Sequence, residues 1–243
     1  MVTVNIVTFR NPDAVTRCVQ SLAAQDCRPF LVNVLDDSDT DWGYSVTANI
    51  GLRRAIEHRD KYAFLLNQDL VLYPDCIGNA LRFMFYHPKA GCAAFKTVAR
   101  ENPDLIIHGG TQQSYPTGIH HTGRVSLGDC AVSRQFNWVN GAGIIYRVAA
   151  LADFGLLDER FILYMQDTDW CTRSRANGWE VWYCAEAVAM DEQDGCSANP
   201  SERQKAILRH DIDAFRDKWV REEPELFEAP ERIMSQTAAG ASE

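Results

Sequence analysis

The most regular feature of the chain is an alternation of short apolar runs with segments whose apolar residues recur every three or four positions. The first run covers residues 2–8, and Asn11 and Pro12 follow it as the N-cap and first residue of a helix. Short apolar runs predict buried strands, whereas the recurring positions predict amphipathic helices. The same alternation predicts strands at residues 30–35, 62–66 and 91–95 and helices at residues 46–57 and 74–87.

The pattern loosens over residues 97–135, which are rich in Gly, Pro, His and polar residues. Such a stretch is typical of a variable binding region, and we expect acceptor specificity to lie there. Regular patterns then return in segments at residues 136–147 and 157–164, helices at 148–154, 167–177 and 201–222, and a strand at 180–184. We expect the tail at residues 223–243 to fray.

Strands that alternate with helices predict an α/β fold, in which a mainly parallel sheet is covered by helices on both faces. Ligands of such folds bind beyond the carboxyl ends of the strands. A chain of 243 residues is long enough for one substantial core. We expect a single domain over residues 1–222, with its first half ending near residue 96, its second half near residue 195, and a C-terminal helix at about 201–222.

Composition excludes some classes of partner. The net charge of −9 argues against nucleic-acid binding, which depends on Lys and Arg that neutralise phosphates. No uncharged apolar run approaches the roughly twenty residues of a membrane span, so we expect no transmembrane segment and at most peripheral membrane contact. The chain shows no signal-peptide pattern, and its eight cysteines form no CxxC pair. We therefore expect a cytoplasmic protein with reduced cysteines.

Carboxylates follow two of the predicted strands. Asp36 and Asp37 end the second strand, and Asp69 ends the third. Carboxylates at one edge of a sheet could contact a nucleotide and hold a divalent cation on its diphosphate. A solvated Asx-rich loop is the alternative for Asp36 and Asp37, and a turn or N-cap aspartate is the alternative for Asp69.

A third group of carboxylates lies at the start of the helix predicted over residues 167–177, where Asp167 and Asp169 follow an apolar stretch. An N-cap is one interpretation of this placement. The other makes Asp167 a general base that accepts the proton of an attacking hydroxyl. Among aromatic residues, Tyr44 and Trp138 could stack on a sugar or a base, although aromatic residues beside apolar strands usually belong to the core.

Four segments, in order, resemble glycosyltransferase family 2, whose members have the GT-A fold, over residues 2–194. They are VTFRNPDAVTRCVQSL, VNVLDDSDTDWGYSVTANIGLRRAI, FLLNQDLVLYPDCIGNAL and the stretch from WVNGAGIIYR through LDERFILYMQDTDW to NGWEVWYC. These segments resemble the family's first strand and helix, its nucleotide-contacting loop, its DxD-type metal strand and its acceptor-side strand with the ED-x-D helix. NQD and QDTDW also resemble the corresponding segments of rhamnosyltransferases.

The resemblance implies that Asp69 binds Mn²⁺ or Mg²⁺ with the diphosphate and that Asp167 is the base, supported by Asp169. We expect donor contacts from Thr8, Asp36, Asp37, Asn49, Asn67, Gln68 and Asp69. We expect acceptor or sugar contacts from Trp138, Asn140, Gly141, Gln166 and Asp169. Gly141 has no side chain, which lets the backbone approach a ligand.

The chain departs from the family pattern at three positions. Asn67 stands where a DxD motif has its first Asp, and Gln166 replaces the acidic neighbour of the base. Where many relatives have a His metal ligand after the last strand, this chain has Asp191, whose oxygen suits Mg²⁺ or Mn²⁺.

These features together predict a metal-dependent inverting glycosyltransferase. Its substrates would be a nucleotide-diphosphate sugar, with UDP- or dTDP-sugars expected, and a hydroxyl of a glycan or glycoconjugate. Nucleotidyl transfer ranks lower, because no Gly-rich loop with a basic residue is present to hold a triphosphate. A catalytically idle module that binds a nucleotide sugar or a glycan is the second hypothesis. The sequence leaves the oligomeric state open.

Overall fold

A computed structural model describes residues 1–27, 30–108, 110–111, 123–124, 131–191 and 200–222. The larger strands are β1 (Val2–Thr8), β2 (Leu31–Asp36), β3 (Tyr62–Asn67), β4 (Leu70–Leu72), β5 (Ala90–Ala99), β6 (Leu105–His108), β11 (Gly143–Arg147) and β12 (Glu180–Asp191). The two-residue strands are β7 (Gly110–Thr111), β8 (Gly123–Arg124), β9 (Arg134–Gln135) and β10 (Trp138–Val139). The helices are α1 (Pro12–Ala23), α2 (Tyr44–Glu57), α3 (Cys76–Tyr86), α4 (Val148–Phe154), α5 (Gln166–Ala176) and α6 (Glu202–Arg216), which continues as a π-helical turn (Asp217–Glu222).

The main sheet has the strand order β2-β1-β3-β11-β5-β12-β4. Strand β1 runs parallel to β2 and β3, and β12 runs parallel to β5, whereas β11 is antiparallel to both β3 and β5, and β4 is antiparallel to β12. Five of these seven strands therefore point the same way. This confirms the predicted α/β class with a mainly parallel sheet.

Two apolar clusters cover the two faces of the sheet. Alternate residues of β3 supply both, since Ala63 and Leu65 belong to one cluster and Phe64 and Leu66 to the other. The first cluster also contains residues of α2, α4 and α5, and the second contains residues of α1 and α3. Side chains of successive strand residues point to opposite faces, so a strand buried on both sides is apolar throughout, as the sequence of β3 is.

The Asn-x-Gly pair of α2 has a packing function. A Cβ atom on Gly51 would lie 2.3 Å from Oδ1 of Asn5, a buried residue of β1. That amide oxygen accepts a hydrogen bond from Asn33 of β2, while the Asn5 amide nitrogen donates to the Phe64 carbonyl. Glycine therefore lets α2 pack closely on the sheet above a polar bridge between three strands.

Several element boundaries differ from the sequence predictions. Strand β12 extends seven residues beyond the predicted end at residue 184, because it pairs along β5 and then with β4. Helix α6 forms within the predicted range 201–222, but its buried face includes a charge, since Asp211 is 0% exposed while the apolar Leu208 is 37% exposed. Much of the predicted acceptor region and the C-terminal tail lie outside the described residues.

None of the helices described here is both long and apolar enough to cross a membrane. The cysteines in the described ranges that form no disulfide are Cys18, Cys27, Cys76, Cys92, Cys171 and Cys184. Cys130 and Cys196 lie outside those ranges.

Candidate functional site

The carboxyl ends of β1, β2 and β3 meet at one edge of the sheet. Thr8 is in register with Asp36, and Val7 is in register with Asn67. Gln68 joins two of these ends, because its Oε1 accepts hydrogen bonds from the Thr8 hydroxyl (2.7 Å) and the Phe9 N–H (3.0 Å). The edge is therefore fixed by side chains as well as by the strand ladder.

The two aspartates after β2 lie in different surroundings. Asp36 is exposed, and hydrogen bonds from the hydroxyl and backbone N–H of Ser38 lower its pKa below the ordinary value. Asp37 is buried, and its oxygens accept hydrogen bonds from the Thr40 hydroxyl (2.7 Å), the Trp42 N–H (2.8 Å) and the Gly43 N–H (2.9 Å). Asp36 can thus reach a ligand in solvent, whereas Asp37 holds the loop that leads into α2.

The two predicted metal ligands lie near the same strand pair, Asp69 in the turn before β4 and Asp191 at the end of β12. Asp191, the last residue of β12, is in register with Leu70 of β4, which directly follows Asp69. Both carboxylates are buried. Among the residues that the structure describes, no group of three or more His, Cys, Asp or Glu side chains is placed to hold a metal. Two carboxylates can nevertheless suffice for Mg²⁺, which is usually held by one or two carboxylates together with substrate phosphates.

Asp167 lies in the first turn of α5. Its Oδ2 accepts the Gly141 N–H (2.9 Å), and its Oδ1 accepts the Thr168 N–H (2.7 Å). A Cβ atom on Gly141 would lie 3.1 Å from the Asp167 Cβ, so any larger residue there would press on Asp167. The next residue, Ala142, accepts the Asn67 N–H through its carbonyl at 2.7 Å. This chain of contacts connects Asp167 to the end of β3, two residues before Asp69.

Tyr44, the first residue of α2, lies near both carboxylates. Its hydroxyl is buried and has no hydrogen-bond partner in the described part of the chain. Burial, followed by the negative charges of Asp167 and Asp69, raises the pKa of Tyr44 well above its ordinary value of 10.0. The Tyr44 phenol is therefore close enough to both carboxylates for their charges to act on it. The sequence leaves Tyr44 open between a stacking and a core residue, and its place directly after the Asp-rich loop is the signal that favours the site.

Other predicted contact residues make internal hydrogen bonds. Asn49 is buried and donates to the Leu157 carbonyl and the Glu159 carboxylate, while its Oδ1 accepts the Leu157 N–H. It therefore holds the segment before α5. Both polar atoms of its amide are engaged in these internal bonds rather than turned to a nucleotide. Asn140 accepts the Ala142 N–H at 2.7 Å, which shapes the turn around Gly141.

Trp138 and Gln166 are both largely buried. Trp138 lies in the first apolar cluster, at 9% exposure, so little of it is open to solvent. Gln166 directly precedes Asp167, and its Oε1 is buried without a hydrogen-bond partner among the described residues. An unpaired buried amide oxygen is costly, which makes Gln166 a candidate to receive a donor group from a ligand.

Asp169 differs from Asp167, although it is only two residues further along α5. It is 0% exposed, and its Oδ2 accepts from Arg173 (2.8 Å). Its Oδ1 accepts from Trp219 (2.9 Å) and pairs with Lys218 (2.7 Å). The predicted contact of Asp169 with a sugar is thus replaced by an internal ion pair that attaches the C-terminal turn to α5.

The fold is that of GT-A-like glycosyltransferases. TarS of S. aureus in complex with UDP-GlcNAc matches with a TM-score of 0.57 at 16% identity, over 93% of this chain and 69% of that one. A longer TarS structure matches with a TM-score of 0.55 at 14% identity, over 88% of this chain, which spans only 43% of that chain. The mannosyltransferase PcManGT from Pyrobaculum calidifontis, in complex with GDP-Man and Mn²⁺, matches with a TM-score of 0.56 at 14% identity, over 100% of this chain and 75% of that one.

The family model described as glycosyltransferase like family 2 matches residues 39–210. The chain therefore belongs to this family, which confirms the resemblance inferred from its motifs. No curated protein matches the chain in sequence.

Proposed function

We propose that this protein is a metal-dependent inverting glycosyltransferase that moves a sugar from a nucleotide-diphosphate sugar to a hydroxyl of a glycan or glycoconjugate. One observation carries the proposal. The carboxylates of Asp69 and Asp167 come from distant parts of the sequence, but a chain of hydrogen bonds brings their segments together. The Gly141 N–H donates to Asp167, and the carbonyl of the next residue accepts the N–H of Asn67, two residues before Asp69. A cation site and a base at one edge are what a single-displacement transfer requires.

In this mechanism Asp167 is the general base. The Gly141 and Thr168 N–H groups hold its two oxygens, and a carboxylate oxygen keeps a second lone pair that can accept a proton. The acceptor hydroxyl attacks the anomeric carbon from the face opposite the diphosphate. The new glycosidic bond forms as the bond to phosphate breaks, Asp167 takes the hydroxyl proton, and the configuration inverts without a covalent enzyme intermediate.

Asp69, with Asp191 beside it, would hold a divalent cation, Mn²⁺ or Mg²⁺. Their oxygens suit such a hard cation, and two protein carboxylates leave coordination positions for the diphosphate. The cation, when bound, would neutralise charge on the departing nucleoside diphosphate. Because the protein supplies few ligands, we expect the metal to bind tightly only together with the nucleotide.

The donor nucleotide would lie against the ends of β1 and β2. Asp36 is the exposed carboxylate there and could hydrogen-bond a ribose or a base, while Thr8 and Gln68 fix the backbone beneath it. We expect a UDP- or dTDP-sugar. The UDP-GlcNAc and GDP-Man complexes of the structural neighbours support a nucleotide-sugar donor and extend the screen to GDP-sugars.

A donor-turnover assay tests the proposal. Release of nucleoside diphosphate from UDP-, dTDP- and GDP-sugars is measured with Mn²⁺ and with EDTA, for the wild type and for Asp69→Asn and Asp167→Ala. We expect EDTA and Asp69→Asn to abolish both turnover and thermal stabilisation by the nucleotide. Asp167→Ala should abolish turnover alone. Turnover that persists in EDTA would contradict the metal requirement.

The second candidate is a binding module without catalysis. It is favoured by one observation, the absence of a three-ligand metal cluster among the described residues. This hypothesis predicts that a nucleotide sugar raises the melting temperature while no diphosphate is released with any acceptor. The same assay therefore separates the two functions.

A further inference from the structure

A single buried carboxylate binds three consecutive backbone N–H groups before α5. Asp211 of α6 accepts the N–H of Ile162 through Oδ1 (3.0 Å) and those of Leu163 (2.9 Å) and Tyr164 (2.8 Å) through Oδ2. The Asp211 side chain is 0% exposed. Hydrogen bonds to an ionised acceptor are roughly twice as strong as neutral ones, so this carboxylate is a strong anchor for residues 162–164.

The anchored segment contacts both sides of the candidate site. Its next residue, Met165, has φ of 66° and is the N-cap of α5, in which Asp167 is the second residue. On the other side, the Ile162 carbonyl accepts the Tyr44 N–H at 2.6 Å. A Cβ atom on Gly43 would lie 3.0 Å from that same carbonyl oxygen. A shift of residues 162–164 would therefore move the base and the start of α2 together.

Apolar packing reinforces the anchor. Phe161 packs with Phe215 and Trp219 in a separate buried cluster, and Met165 lies against it. Asp211 and Phe215 are one helical turn apart on α6, so one face of this helix supplies both the charge and the apolar contact. Asp211 thus holds residues 162–164 themselves, while Phe161 before them and Met165 after them contact the aromatic cluster.

We infer that Asp211 is a positioning residue for the transfer reaction: it fixes residues 162–164 so that α5 presents Asp167 to the acceptor hydroxyl. This inference rests on the proposed function. Asp211 touches neither substrate nor metal in this account. A base displaced by about 1 Å can cost about 100-fold in rate, so the positioning has a measurable effect.

Asp211→Asn is the sharpest variant, because it keeps the shape of the side chain. The amide replaces one acceptor oxygen by an NH₂ donor, so at least one of the three N–H groups loses its partner. We expect kcat to fall by about 10- to 100-fold. The KM for the donor and the Kd for UDP with Mn²⁺ should stay within about threefold of wild type, because Asp69 and the ends of β1 and β2 are untouched.

Two control variants separate positioning from a general weakening of α6. Ser201→Ala removes the capping box of α6 and destabilises the helix without touching residues 162–164. Asp213→Asn removes an exposed charge on the same helix, where the Asp213 carboxylate lies 3.7 Å from Arg216. Both controls should keep the wild-type kcat at temperatures at which they are folded. A folded Asp211→Asn enzyme with wild-type kcat, or one that loses rate only as far as Ser201→Ala does, would overturn the inference.

Amide hydrogen exchange supplies a readout that does not depend on turnover. Faster exchange at residues 162–168 in Asp211→Asn, with α1 and α3 unchanged, is expected, and unchanged exchange would refute the anchor. If no donor is turned over by the wild type, the proposed function fails while the anchor is still judged by exchange. Asp211→Glu, which keeps the charge but moves it by one methylene, takes the place of Asp211→Asn if the latter does not fold.

Discussion

Asp167 and Asp169 lie two residues apart on α5, yet they belong to two different regions. At the edge of the sheet, Asp167 accepts hydrogen bonds from the backbone of Gly141 and Thr168 and has no cation beside it among its described contacts. Against the C-terminal turn, Asp169 is fully buried and paired with Lys218 and Arg173. The comparison predicts that the carboxylate with neutral donors, Asp167, is the one that takes part in chemistry, whereas the one paired with cations, Asp169, holds elements together.

The largest expected effect is on the rate of Asp167→Asn. A general base contributes about 10²- to 10⁴-fold, so kcat for transfer should fall by that range, while binding of UDP with Mn²⁺ persists. Asp13→Asn is a matched control, because Asp13 is also a carboxylate in the first turn of a helix, but on α1 and exposed. Steady-state kinetics and calorimetric titration measure the two quantities. A variant with wild-type kcat would remove Asp167 from the mechanism.

Asp169→Asn should instead affect stability. It leaves Lys218, which is itself buried, with Asp158 as its remaining carboxylate. The loss should therefore lie at or below the lower end of the about 3–5 kcal/mol that breaking a buried ion pair costs. We expect a lower free energy of unfolding in urea than for the wild type, and little change for Asp167→Asn. The contrast between the two regions would be broken if Asp169→Asn were as stable as the wild type and Asp167→Asn were not.

A smaller effect is expected from Gly141→Ala. The new methyl group would press on the Asp167 Cβ at 3.1 Å, so kcat should fall by about tenfold, which is less than after loss of the carboxylate itself. Gly78→Ala is the control, because its Cβ would meet an Asp26 oxygen at a similar 3.2 Å outside the site. Equal rates for both variants would indicate that the close approach of Gly141 to Asp167 has no role in catalysis.

The smallest effect concerns Asp158, which binds Lys218 at 2.8 Å on the C-terminal side. Burial favours its neutral form, but hydrogen bonds and charges, led by Lys218, outweigh burial and lower its pKa below the ordinary 3.8. A lowered folded-state pKa stabilises the protein above that ordinary value, and the contribution is lost as the pH falls through the lowered pKa.

Asp158→Asn should therefore lower stability by less than about 1 kcal/mol at pH 6. The difference in stability between wild type and Asp158→Asn should be smaller at pH 3, as the midpoints of urea unfolding can show. A difference that grows on acidification would contradict the lowered pKa.

The meeting of the strand ends that carry the candidate site could be predicted from the sequence because it follows from local patterns. Apolar runs that end in Asp36 or Asp69 mark the carboxyl ends of strands, and these ends meet at one edge in a parallel sheet. Gly141 and Asp167 each belong to a short sequence motif, so each could be found without knowledge of distant contacts. The family resemblance supplied their order.

The internal partners could not be predicted in the same way. Asn49 contacts Leu157, and Asp211 contacts residues 162–164, across 108 and 47–49 positions of sequence. A buried carboxylate on an amphipathic helix looks like a solvated residue until the segment that it binds is known. Asp169 was assigned to the sugar for the same reason, because Lys218 and Trp219 lie 49 and 50 positions away and no local pattern pairs them with it.

The central claim is that Asp69 and Asp167 serve one donor and one acceptor at the same edge of the sheet. A crystal structure with UDP and Mn²⁺, with the metal located by its anomalous scattering, tests this most directly. We predict a manganese ion bound by Asp69 and the diphosphate. The end of the diphosphate that would carry the sugar should face Asp167 and Tyr44. A nucleotide bound elsewhere, or a metal that reaches the diphosphate without Asp69, would contradict the account.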